Sequence, residues 1–161
     1  MKFNAGFVFR TLALLILLPL LHSCSKACEQ WSYYELKSDC SDYSSKKLVH
    51  TTEHCFRGTQ LEFIRTSSGQ WCRLKVFNLP FPQEHCDFSQ TKLTIKSRQS
   101  TKIFYTKRLR GGQCLLLPIN AQDLIVSELS QGVPLTITVG RYSAEITSKG
   151  FCKSYKRFVT N

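Results

Sequence analysis

A chain of 161 residues is one domain's worth of polypeptide and long enough to bury a core of its own. Its 22 Lys and Arg against 11 Asp and Glu give a formal charge of +11, which points to acidic surroundings. Eight cysteines exclude a reducing cytosol unless they serve metal or redox chemistry.

The N-terminus reads as an export signal. Lys2 and Arg10 supply positive charge, and Thr11 to Leu21 (TLALLILLPLL) supplies an apolar core. A spanning helix needs about 20 apolar residues, so this run is too short, and residues 1–23 are expected to be a signal peptide. Their removal takes away two cations and no acid, so residues 24–161 stay strongly basic. An export signal argues against nucleic acid as partner. Lipid headgroups, lipid A phosphates and polyanionic glycans are the expected acidic surroundings.

Leu21-His22-Ser23-Cys24 resembles the lipobox of exported bacterial lipoproteins. That resemblance implies a diacylglycerol on the Cys24 sulfur, which would become the first residue and attach the chain to membrane. Ser25 resembles the signal for outer-membrane sorting, on the periplasmic or surface face. His22 departs from the pattern, where a small or apolar residue is usual. The alternative is an ordinary cut after Ala27, with Ser25 two positions before it, giving a secreted effector or ligand without an anchor. Either cut leaves Cys28, Cys40, Cys55, Cys72, Cys86, Cys114 and Cys152 as disulfide candidates, an odd set with its connectivity open. No C-x-x-C pair occurs, so a thioredoxin-like site or a zinc ribbon has no support.

Residues 24–60 are polar and weakly periodic, and read as irregular and disulfide-tied, with short strands near Trp31–Leu36 and Lys47–Thr51. Residues 61–161 are β-rich. LEFIRTSSGQWCRLKVFN reads as strand, turn and strand, with Cys72, Leu74 and Val76 alternating against Arg73 and Lys75. Pro80 and Pro82 force an extended connection. In TKLTIKSRQSTKIFYTKRLR, Leu93 and Ile95 alternate with lysines, Ile103 and Tyr105 form the apolar set of the return strand, and Ser97 to Thr101 is the loop. Gly111-Gly112 turns the chain into a short buried strand, QCLLLPI. One helix follows, with Asn120 as its cap, Asp123 in its first turn and Gly132 as its stop. VPLTITVGRYSAEITSKGF reads as a final hairpin turning at Gly140. The expected fold is mainly β, an antiparallel sandwich or partly open barrel with one short helix, stabilised by disulfides.

The segment from Cys114 to Phe151 resembles the C-terminal part of the invasion-associated locus B family of periplasmic proteins. The shared features are Cys114 before a Leu-rich strand with Pro118, and a helix opened by Asp123-Leu124 and ended by Leu129 and Gly132. The Leu135–Val139 strand and Lys149-Gly150-Phe151 complete them. The expected Trp shortly before a first Cys is not clean, since Trp31 stands well before Cys40. The resemblance implies a non-enzymatic, disulfide-bearing β domain of the envelope with a part in host contact.

Catalytic patterns are weak. His50-Thr51-Thr52-Glu53-His54 matches the inverted zinc-protease motif, but that chemistry needs both histidines on one helical face, and Thr51 and Thr52 are poor helix formers. His54-Cys55 and His85-Cys86 form a formal metal set, for which two disulfide cysteines with solvated neighbours are the simpler account. A Cys–His pair is formally available and has no family signature behind it. The expectation is no enzyme, no metal and no cofactor. The strongest functional hint is basic. Between Asp87 and Asp123 no acid occurs, while Lys92, Lys96, Arg98, Lys102, Lys107, Arg108 and Arg110 do, with Phe104 and Tyr105 among them. Such a hairpin suits phosphates or sulfates, with Lys92, Lys96 and Arg98 on one face and Lys102, Arg108 and Arg110 together, and Lys153, Lys156 and Arg157 extending the patch. The expected role is structural or binding, toward anionic surfaces and other envelope proteins.

Overall fold

The computed structural model describes residues 31–37, 44–52, 58–84 and 87–160. In chain order the elements are β1 (Trp31–Lys37), β2 (Ser44–Thr51), β3 (Thr59–Thr66), β4 (Gly69–Val76), β5 (Gln90–Lys96), β6 (Thr101–Arg108), β7 (Cys114–Leu116), α1 (Ile119–Ser130), β8 (Leu135–Val139), β9 (Tyr142–Ile146) and α2 (Phe151–Val159). The strands form one nine-stranded sheet in the order β1-β2-β3-β4-β7-β6-β5-β8-β9, and every pairing is antiparallel. The mainly β expectation is met.

One face of this sheet is a continuous core, because alternate residues along each strand point the same way. Leu61 and Phe63 of β3 meet Leu74 and Cys72 of β4, and Ile95 of β5 meets Ile137 of β8. The helices roof this face with Ala121, Ile125 and Leu129 from α1 and Phe151 and Phe158 from α2. Phe151 lies edge-on to Trp31 at 4.9 Å and stacks on Tyr155 at 5.0 Å. The sheet does not close by a backbone ladder between β1 and β9. Its ends meet instead through side chains. The Trp31 indole Nε1 donates to the Thr147 carbonyl at 2.7 Å, and Thr147 N donates to His50 Nε2 at 3.3 Å. The result is a partly open barrel with a side-chain seam.

Several expectations are corrected. Two helices form, not one. α2 occupies the segment after the final hairpin, its buried Phe151 and Phe158 sharing a face with the partly buried Tyr155 at helical spacing. α1 starts at Ile119 with Pro118 in the cap position and no side-chain cap, so Asn120 lies inside the helix. Pro118 presets its own φ at −67°, and its carbonyl accepts from Ala121 N and Gln122 N. The two short strands expected within the polar segment form as β1 and β2, the second starting earlier than expected, and they pair along their lengths.

β6 faces the opposite way from the expected one. Leu93 pairs with Phe104 and Thr91 with Thr106, so Phe104 and Thr106 point to the core, while Ile103 and Tyr105 are 53% and 57% exposed. A shift of one residue turns every side chain of a strand over.

Disulfide stabilisation is not seen among the described residues, where Cys72, Cys114 and Cys152 are free thiols. Cys72 points into the core and Cys114 out of it. Cys114 pairs with Lys75, an odd number of residues from Cys72, so the two thiols sit on opposite faces of the sheet. Cys24, Cys28, Cys40, Cys55 and Cys86 lie outside the described residues, as does the expected signal peptide. Among the described residues no helix is long and apolar enough to cross a membrane.

Candidate binding surface

The face of the sheet turned away from the core carries a large group of charged side chains. Register places Lys47 and Val49 of β2, Glu62 and Ile64 of β3, and Trp71, Arg73 and Lys75 of β4 on this outer face. Cys114 and Leu116 of β7, Lys107, Tyr105 and Ile103 of β6, and Lys92 and Lys96 of β5 continue it. Six cations thus share a face whose acids are Glu62 and, on β9, Glu145.

The basic hairpin is divided by its register. Lys92 lies opposite Tyr105 and Gln90 opposite Lys107, so Lys92, Lys96 and Lys107 share the outer face with Ile103 and Tyr105. Lys102 and Arg108 have the other parity. The Arg108 guanidinium donates through Nη1 to the Phe88 carbonyl at 3.1 Å, next to Gly112, whose place leaves no room for a Cβ beside Arg108. Arg98 lies in the Ser97–Ser100 loop, and Arg110 is exposed on the turn before Gly111. The expected grouping of Lys102, Arg108 and Arg110 is therefore replaced by Lys107 joining Lys92 and Lys96.

Beside this hairpin, across β7, lies a second cationic group that sequence reasoning missed. The Glu62 side chain is fully buried on the outer face and is held by Lys47 Nζ at 2.6 Å, Lys75 Nζ at 3.3 Å and Arg73 Nε. Burial pushes the Glu62 carboxyl up, but the hydrogen bonds and charges of Lys47 and Arg73 outweigh it and hold the pKa below its ordinary value. One carboxylate cannot neutralise three cations. Next to them Tyr34, Leu36, Ile64 and Trp71 line a cleft of about 520 Å³, with Lys47 and Arg73 also in its wall. The remaining exposed apolar side chains include Phe77, Leu79 and Phe88 on the loops after β4 and before β5. The amphipathic helix α2 exposes Lys153, Lys156 and Arg157, and the Arg157 guanidinium lies 4.8 Å from the centre of the Tyr33 ring.

Of His50, Glu53 and His54 in the inverted zinc-protease pattern, the structure describes His50. His50 sits in β2, not on a helix, and is buried, while Glu53, His54, Cys55, His85 and Cys86 lie outside the described residues. Burial lowers the His50 pKa to about 4, which keeps the ring neutral. Burial also pushes the Cys72 thiol well up, with the Glu62 charge adding to it. At Cys114 burial raises the thiol against the opposing pull of Arg73 and Lys75. Both are the reverse of what a thiolate nucleophile needs. Among the described residues no three His, Cys, Asp or Glu side chains gather as a metal site.

Comparison with models of protein families, with curated proteins and with solved structures finds no match to this chain.

Proposed function

We propose that this chain is a lipid-anchored protein of the bacterial envelope with a non-enzymatic binding role, and that it lies against anionic surfaces through its cationic sheet face. The observation that carries this reading is the shared side of Lys92, Lys96, Lys107, Ile103 and Tyr105 on β5 and β6. Lysines around exposed aromatic and aliphatic side chains suit a headgroup layer, where ammonium groups meet phosphates and the apolar groups sit among the upper carbons. α2 extends the reading. Its Phe151 packs on Trp31, so Lys153, Lys156 and Arg157 belong to the element beside which β1 begins. An anchor at Cys24 would stand only a few residues before that point, and the helix cations would then come close to the headgroups.

Two measurements test the two parts. The intact mass of the protein, made with and without globomycin, reads the anchor. Diacylated Cys24 in the untreated sample is the expected result, and an unmodified terminus at Cys24 or Cys28 sinks the lipoprotein reading in favour of secretion. Vesicle sedimentation of a Cys24→Ser variant reads the face. Salt-sensitive binding to anionic vesicles is expected. At about 1 kcal/mol per lysine near such a surface, replacing Lys92, Lys96 and Lys107 by Gln should weaken it about a hundredfold. Unchanged binding by that variant removes the hairpin from the function.

A further inference from the structure

The cleft on the outer face of β1–β4 combines features that the surface role does not use. Its apolar side is made by Tyr34 and Leu36, which are 54% and 68% exposed on the edge strand, together with Ile64 and Trp71. Its polar side is made by Lys47 and Arg73, with the hydroxyl residues Ser45 and Thr66. Beneath that side Glu62 accepts a hydrogen bond from Arg73 and forms ion pairs with Lys47 and Lys75, which draws the three cations to one carboxylate and leaves positive charge over. The Arg73 contact to Glu62 runs through Nε, and its terminal nitrogens have no partner among the described residues. Those terminal nitrogens are the pair that accepts a carboxylate or phosphate in two-point fashion. The volume, about 520 Å³, falls in the range of small-molecule sites.

We infer that this cleft binds a single-chain amphiphilic anion of the fatty-acid class, its carboxylate on Arg73 and Lys47 and its hydrocarbon over Ile64, Trp71, Tyr34 and Leu36. Glu62 acts as a positioning residue. It holds the cations at the cleft without neutralising them, so the head group of the ligand supplies the missing negative charge. Charge complementarity selects an anion over a neutral lipid, and the exposed apolar edge strand selects an alkyl body over a bare inorganic ion. The site is separate from the Lys92, Lys96 and Lys107 group and does not depend on the anchor.

The protein carries its own reporter, because Trp71 lines the cleft while the second tryptophan, Trp31, is buried on the core face. The test titrates the full chain with dodecanoate below its micelle concentration and reads both tryptophan emission and heat. A saturable emission change and saturable heat are expected with dodecanoate, about tenfold weaker binding with dodecanol, and none with acetate. Trp71→Phe should keep the heat and lose the emission change. Arg73→Gln should weaken dodecanoate about tenfold and leave dodecanol unchanged. Leu36→Asp, at a position exposed enough to leave folding intact, should weaken both. Equal affinity for dodecanoate and dodecanol, or full affinity in Leu36→Asp and Arg73→Gln, overturns the proposal. Loss of vesicle binding in the Lys92, Lys96 and Lys107 variant with dodecanoate binding intact would show the two sites to be independent.

Discussion

The His50 seam makes stability depend on pH with a definite sign. The ring is 1% exposed, and its Nε2 accepts the Thr147 N–H, so the neutral ring carries its proton on Nδ1, which meets no acceptor among the described residues. Burial alone lowers its pKa from 6.5 to about 4. Well above pH 6.5 the ring is neutral whether the chain is folded or not, and it adds no pH dependence. As pH falls through 6.5 the unfolded chain takes up a proton that the folded chain refuses, and stability drops. The loss saturates below the folded value of about 4, where it reaches roughly 3 kcal/mol at 1.36 kcal/mol per pKa unit. Between pH 7.5 and pH 5.0 the part due to His50 is about 2 kcal/mol by the same relation. Urea unfolding at those two pH values, on the native chain and on His50→Gln, isolates it. Glutamine does not titrate in this range and keeps an amide oxygen for Thr147 N. The carboxylates and the other histidines titrate in both proteins and cancel in the difference. His50→Gln should therefore lose about 2 kcal/mol less than the native chain on acidification. Equal losses in the two proteins would mean that the folded ring protonates as readily as the unfolded one, and the buried-seam account would fail.

Three further outcomes follow from single residues. Glu62→Gln leaves Lys47, Arg73 and Lys75 facing one another without their carboxylate, and should cost about 3 kcal/mol in urea unfolding at neutral pH. That deficit should shrink as pH falls through the depressed pKa of Glu62 and the native carboxyl protonates too. Gly140 and Gly132 both have positive φ, at +55° and +82°, but a Cβ at Gly140 would stand 2.5 Å from Pro82 Cγ and one at Gly132 meets nothing. Gly132→Ala should cost about 1 kcal/mol and Gly140→Ala clearly more, read as the difference in melting temperature between the two variants. Among Cys72, Cys114 and Cys152, a thiol reagent under native conditions should label Cys152 first and Cys72 only on unfolding, as peptide mapping of the adducts would show.

The elements were legible where one alternation had no rival. In β4 the apolar set Cys72, Leu74 and Val76 is interleaved with Arg73 and Lys75, and in β8 Leu135, Ile137 and Val139 are interleaved with threonines; both point as their sequences indicate. β6 was ambiguous, because in TKIFYTKR each of the two alternate sets contains an aromatic residue, Tyr105 in one and Phe104 in the other. What decides is the partner strand. With the Ser97–Ser100 loop setting the turn, Leu93 faces Phe104, and a fully buried leucine leaves that set as the inward one. The second helix is marked by Phe151, Tyr155 and Phe158 at helical spacing, but Gly150 fits the end of a hairpin as well as the start of a helix.

The candidate site was harder to see for the same physical reason. Glu62 stands in LEFI as one polar residue among three apolar ones, and nothing local says that it is buried. Its partners come from two other strands, Lys47 from β2 and Arg73 and Lys75 from β4, and only the register of β2 against β3 and β3 against β4 brings them together. The same register sets Tyr34 across from Lys47, Lys47 across from Ile64, and Ile64 across from Trp71, so one row over β1–β4 sets a single cation among three apolar groups. A chain read for runs finds the lysine-rich hairpin, because its charges are neighbours in sequence. A site assembled across strands has no run to find. In the proposed fatty-acid site, the positive charge left over around the buried Glu62 is what the ligand's carboxylate would pair with.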